Sequence, residues 1–187
     1  MRPATQVPHG TATMTRGMVL LFAFCCGAIV ANLYYAQPII ELIAPDVGLT
    51  SSMASFIVSL TQIGYALGML FLVPLGDLLE NRRLMIITSM VAIASLLGAA
   101  FTDQPNVFLL ISLLVGFSSV SVQILIPLAA HLAPEESRGR VVGGIMGGLL
   151  LGILLARPVS SIVADHFGWR AMFVIAAALM AAISVVL

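Results

Sequence analysis

In 187 residues the chain carries 60% hydrophobic side chains against 9% charged ones, with a mean hydropathy of +1.13. That balance excludes an ordinary soluble domain and points to an integral membrane protein. Eight Arg and no Lys oppose eight acids for a net charge of zero, so nothing in the balance points to a nucleic-acid surface or an acidic soluble partner. A bilayer core of about 30 Å asks for about 20 apolar residues per helix, because every backbone N–H and C=O has to be satisfied within the segment. Six such stretches are present, and the expected fold is an all-α six-transmembrane-helix bundle embedded in the lipid bilayer.

Residues 1–16, with two Pro, a Gly and several Thr, read as a disordered tail. Span one covers 18–40. Arg16 followed by an apolar run resembles the start of a cleaved signal peptide, but the run is too long, lacks an Ala-x-Ala site and is followed by five more spans. Cys25 and Cys26 are adjacent, a poor geometry for a disulfide, and read as small packing residues. Cys25, Asn32 and Tyr35 share one face of this span. Span two, 54–75, carries Ser55, Ser59 and Gln62 on one stripe. A short turn follows, where Asp77, Glu80, Arg82 and Arg83 crowd together after Gly76. Span three is 84–102. Span four, 106–130, places Ser112, Gly116, Ser119 and Gln123 within a stripe of about 60°. In lipid these polar stripes have to face other helices or water.

Span five, 139–164, is the glycine-rich helix. Gly139, Gly143 and Gly147 form one row and Gly144, Gly148 and Gly152 a second row on the other side, so two helices are expected to approach it closely. Arg157 lies about 27 Å along it from Gly139, near the outer edge, where snorkelling relieves much of the cost of a buried cation. It is read either as an extracytoplasmic gate or binding residue, paired with Glu41, or as a snorkelling anchor. Span six is 169–187.

Flanking Arg residues are retained on the cytoplasmic side during insertion. Arg2, Arg16, Arg82, Arg83, Arg138 and Arg140 all fall on one side if the N-terminus is cytoplasmic, while the other side receives Glu41, Asp46, Asp103, Asp165 and Arg170. Both termini of the chain are therefore expected to be cytoplasmic, in a membrane of the bacterial inner type. His9, His131 and His166 lie in the tail or near span ends, and Gly116-Phe117-Ser118-Ser119 lacks the second Gly of an intramembrane serine protease loop. No enzyme activity, metal or cofactor is expected.

Six spans with a Gly76-Asp77…Arg82-Arg83 turn between the second and third resemble the N-terminal half of the major facilitator superfamily of secondary transporters. Its motif there reads roughly Gly-x-x-x-Asp-Arg-x-Gly-Arg-Arg. Here Gly76 directly precedes the acid, Leu78 stands where an Arg is usual and the second Gly is missing. Asn32-Leu33-Tyr34-Tyr35-Ala36-Gln37-Pro38, Gly152-Ile153-Leu154-Leu155-Ala156-Arg157 and Gly168-Trp169-Arg170 extend the resemblance over the chain after the tail. The resemblance implies a gating role for Gly76, Asp77, Arg82 and Arg83, with Asp77 capping a neighbouring helix and joining a cytoplasmic charge network near Glu135, Glu136 and Arg138. It also implies that spans one and four line a central cavity, with Asn32, Tyr35, Ser112, Ser119 and Gln123 as its polar lining.

Such a lining suits a lipophilic or zwitterionic small-molecule substrate, and efflux of lipophilic compounds is one direction of transport. The residues leave the coupling ion open: no acid lies deep in a span, so a coupling proton has no evident carrier. The resemblance implies a second six-helix half, either a missing C-terminal part or a homodimer partner. The alternative is a truncated half-transporter without transport activity of its own.

Overall fold

A computed structural model describes residues 15–78 and 80–186, the side chains at 77 and 78 excepted. The expected tail, apart from its last two residues, lies outside them, as does Leu187. Helix α1 (Arg16–Ala31) begins where Thr15 leaves the helical conformation and its hydroxyl accepts the Met18 N–H at 3.3 Å, satisfying one of the donors a helix start leaves open. It ends within the apolar run. The N–H groups of Asn32, Leu33 and Tyr34 reach carbonyls three residues back, at 3.3, 3.1 and 2.9 Å, the tighter 3₁₀ pattern. Pro38 then has no N–H to continue the ladder. A 3₁₀ turn, Gln37–Ile39, and a short helix α2 (Ile40–Asp46) complete the crossing. The expected span 18–40 is thus a broken segment reaching to residue 46 rather than one helix.

Helices α3 (Ser51–Leu78) and α4 (Asn81–Phe101) form the second and third crossings. The fourth is also interrupted, into α5 (Pro105–Ser118) and α6 (Ser121–Leu132). At the junction the hydroxyls of Ser118 and Ser119 donate to the carbonyls of Leu114 and Val115 at 2.8 and 2.7 Å, competing with the backbone for the same acceptors and bending the helix. Helices α7 (Arg138–Phe167) and α8 (Trp169–Val186) are joined by Gly168 at φ +82, a left-handed turn that suits glycine. Five crossings are by themselves long and apolar enough to span a membrane. The first depends on α1 and α2 together, since the 16 residues of α1 alone fall short of a bilayer core.

The helices pack chiefly as three pairs, α1 on α7, α3 on α5 and α4 on α8. In two of these, glycine permits backbone contact. A Cβ on Gly27 would sit 2.6 Å from the Gly148 carbonyl oxygen, and one on Gly148 would sit 2.6 Å from the Ala23 Cβ. On the other pair, a Cβ on Gly64 would run into the carbonyl oxygen of Leu113 and one on Gly116 into that of Thr61. Close approach of this kind supplies the dispersion contact that holds helices together where lipid is as apolar as leucine. The Gly144–Gly148–Gly152 row therefore meets α1. The Gly139–Gly143–Gly147 row meets nothing within 4 Å among the described residues. At the end of the bundle carrying the α7–α8 turn, Phe108, Trp169 and Phe173 pack edge to face with centroids 5.9, 6.1 and 5.9 Å apart, fixing α5 to α8.

Gly148→Leu is expected to destabilise the bundle by about 1–3 kcal/mol or more through overpacking, whereas Leu151→Ala, at a side chain 56% exposed, costs little. Thermal unfolding of the two variants in detergent at equal stability would contradict this packing.

Candidate functional site

At the end of the bundle that holds the charged turn, α3 runs to Leu78 and α4 starts at Asn81, so only residues 79 and 80 separate two crossings. Arg82 and Arg83 fall in the first turn of α4, where the positive end of the helix dipole disfavours cations. Their placement is thus not explained by helix stability. Gly76 and Asn81 line a cavity of about 340 Å³ together with Val73, Gln123, Pro127 and His131. Gly76 leaves room for Asn81, whose Oδ1 would lie 3.4 Å from a Cβ there. Glu80, Asn81 and Arg82 also line a second cavity of about 570 Å³ with Met18, Leu128 and Val186. The backbone of Asp77 belongs to α3, but its side chain lies outside the described residues, and the expected charge network with it. Nearby, Arg138 Nε donates to the Ala130 carbonyl at 3.0 Å, covering an acceptor in the last turn of α6.

The expected central lining divides in two. Asn32, Tyr35, Ser112 and Ser119 are 5%, 5%, 6% and 0% exposed: they face the interior of this six-helix bundle. Ser112 and Ser119 donate to Phe108 and Val115 of their own helix at 2.9 and 2.7 Å. Gln123 is half-buried and its Nε2 donates to Tyr65 Oη on α3 at 2.7 Å. The polar groups that face outward are those of α3, where Ser52, Ser55, Ser59 and Gln62 form an exposed stripe. The Ser55 and Ser59 hydroxyls donate to carbonyls of Ser52 and Ser55 at 3.3 Å each, while the Gln62 amide sits at the surface.

Towards the other end, Arg157 on α7 reaches the break in α1. Its Nη2 donates to Gln37 Oε1 at 2.8 Å and its guanidinium lies 5.8 Å from the Tyr34 ring centroid. One turn on, Ser160 Oγ donates to the Tyr35 carbonyl at 2.6 Å, satisfying an acceptor freed by the break. The expected pairing of Arg157 with Glu41 is corrected: the partner is Gln37, and no ion pair joins Arg157 to Glu41 among the described residues. The unwound segment 32–36 and the 3₁₀ turn bring Gln37 against α7, while Glu41 lies a turn further along on α2.

At this same end, three loops meet on one cation. Arg170 Nη1 donates to Asp46 Oδ2 at 2.9 Å and Nη2 to Asp103 Oδ1 at 2.6 Å. The Trp169 Nε1 donates to the same Asp46 oxygen at 2.9 Å, and the Arg170 guanidinium lies 4.2 Å from the Trp169 ring centroid. The Trp169 and Arg170 hydrogen bonds hold the Asp46 carboxyl below its ordinary 3.8. Sequence reasoning took these acids only as outer-side loop charges. The signal that could have joined them is Gly168-Trp169-Arg170, an indole donor beside a guanidinium, facing two loops with one acid each.

Comparison with known proteins places residues 19–187 in a match to the description Major Facilitator Superfamily. The chain is 45% identical over 174 residues to the Escherichia coli O157:H7 protein named Uncharacterized transporter YgaY, covering 93% of this chain and 44% of that protein. It is 39% identical to the probable transporter SCO4007 of Streptomyces coelicolor over 96% of this chain and 41% of that one, and 28% identical to the inner membrane transport protein YnfM of E. coli K12, again over 96% and 44%. The chain thus spans less than half the length of these curated relatives. Among solved structures it superposes on a crystal structure of a double-tryptophan XylE mutant with a TM-score of 0.76 at 18% identity, covering 91% of this chain and 43% of that one, a likeness of fold.

The lowered Asp46 pKa fixes the sign of a pH effect. Its stabilising contribution is fully present above the unfolded value near 3.8 and is lost as pH falls through the folded value. Wild type is therefore expected to lose thermal stability on acidification below about 4, while Asp46→Asn, less stable at neutral pH, shows a shallower loss there. Melting curves with the same acid slope for both proteins would remove the clasp from the account.

Proposed function

The chain belongs to the major facilitator superfamily, and from that premise we propose that it forms one six-helix half of a secondary active transporter that moves small solutes across a membrane. The relatives named as transporters support this at the level of the family. The single observation that carries it to a site is the exposed stripe on α3, where Ser52, Ser55, Ser59 and Gln62 stand on the surface of a crossing helix. A surface amide in hydrocarbon leaves its donors and acceptors unsatisfied. The stripe therefore faces either water or a second six-helix half, and such a half is the partner that would complete the transporter. By contrast, the outward face of α4 beyond the arginines of its first turn, with Ile87, Met90 and Leu97, is apolar and suits lipid.

The solute path assigned here runs along the α3 stripe, past the Tyr65–Gln123 pair, to the cavity at Gly76 and Asn81. Its lining is hydroxyl and amide, so a lipophilic or zwitterionic compound suits it better than a highly charged one. Lipophilic compounds enter across bilayers unaided, so transport changes their distribution chiefly as export. Arg157, held by Gln37 and Tyr34, stands as the extracytoplasmic gate residue, and Arg82, Arg83 and Asp77 as the cytoplasmic one. The Arg distribution supports cytoplasmic termini, and the likeness to an inner membrane transport protein of E. coli supports a bacterial inner membrane.

Cysteine labelling tests the path and the orientation in the protein as its gene encodes it, with Cys25 and Cys26 replaced. A membrane-impermeant maleimide is expected to react with Ser59→Cys through the aqueous path in vesicles open to that side and not with Met90→Cys. In intact cells it should react with Gln104→Cys and not with Asn81→Cys. An inert Ser59→Cys, or reversed labelling of the loop pair, would reject the path or the orientation respectively.

The gating role of Asp77 has its own outcome. Asp77→Asn at equal expression is expected to shift the balance of inward- and outward-facing states by about 1–3 kcal/mol, read as a change in the labelling rate of Glu41→Cys at the outer end. Unchanged labelling would reduce the turn to a topogenic loop.

A further inference from the structure

The break in α1 leaves one buried polar group without a protein partner. Asn32 is 5% exposed, and its Nδ2 makes no hydrogen bond. A buried amide donor in that state is costly, and Asn32 lines a small cavity of about 10 Å³ with Thr61, Ala99, Phe108, Ser112 and Phe173. That volume is what a single water occupies when measured by the reach of a water-sized sphere.

The polarity of the lining is specific. Thr61 Oγ1 donates to the Ile57 carbonyl at 2.8 Å and Ser112 Oγ to the Phe108 carbonyl at 2.9 Å. Each hydroxyl has spent its proton on its own helix and turns only lone pairs to other partners. Asn32 supplies a donor. One donor and two acceptors around a water-sized space match a molecule that accepts once and donates twice. A sodium ion would be faced by an N–H group and by too few oxygens.

We propose that this cavity is a binding site for one ordered water, which accepts from Asn32 Nδ2 and donates to Thr61 Oγ1 and Ser112 Oγ. The water joins the unwound segment of α1 to α3 and α5 through three side chains. The site is lined by residues of this half and does not rest on the proposed solute path.

A structure of the protein as its gene encodes it, at a resolution that shows ordered solvent, is the first test. One peak within about 3.2 Å of Asn32 Nδ2, Thr61 Oγ1 and Ser112 Oγ is expected; a cavity without density overturns the proposal. The second is a double-mutant cycle on thermal stability. Asn32 and Ser112 share no direct hydrogen bond, so Ser112→Ala should lower the melting temperature of wild type more than that of Asn32→Leu, where only its bond to the Phe108 carbonyl is lost; additive losses overturn the bridge. Sodium chloride and choline chloride at equal ionic strength should act alike on wild type. Saturable stabilisation by sodium that Asn32→Leu abolishes would assign the cavity to a cation instead.

Discussion

The whole arrangement depends on one constraint: a backbone that crosses hydrocarbon has to bond its own N–H and C=O groups, and wherever it stops doing so the protein itself has to supply partners. Two of the six crossings stop, at Asn32–Ala36 and at Ser119–Val120. Both interruptions are turned inward. Around the first, Ser160 of α7 takes up the Tyr35 carbonyl. At the second, Val120 is fully buried, and serine hydroxyls fold back on the helix that precedes it.

Glycine answers the complementary problem. With no hydrophobic drive between helices in lipid, contact area has to come from proximity. Gly27 against Gly148 and Gly152, and Gly64 against Leu113 opposite Gly116 against Thr61, let α1 meet α7 and α3 meet α5 backbone to backbone. These two pairs include both broken crossings. Each interrupted segment is thereby braced by a long helix, α7 or α3, that carries no comparable gap.

The helical bundle was legible in the sequence because bilayer thickness translates directly into the length of an apolar run. The breaks were not, because hydropathy does not register whether an N–H reaches three residues back or four. Periodicity correctly grouped Ser112 with Ser119 on one face, yet it cannot say which neighbour that face meets, and the two turned into this bundle. The Gly144–Gly148–Gly152 row was readable for the same reason and found α1. Gly64 went unread although Gly68 stands four residues on in the same small-residue spacing, and its need appears when α5 is laid against it. Arg157 was read with Glu41 as its partner, since a helix count ignores the unwinding that moves Gln37 into place. Asp77 stands at a turn that matches its motif only in part, and its side chain lies outside what the structure describes.

The Arg170 clasp also bears on how the protein is made. Its two acids lie 124 and 67 residues earlier in the chain than the guanidinium they bind. During synthesis Asp46 and then Asp103 arrive on their side of the membrane with no Arg170 to hold them. The three loops close only when the α7–α8 turn follows. Until then neither acid has this partner, and the ion pairs that tie the two earlier loops together are set by the α7–α8 turn.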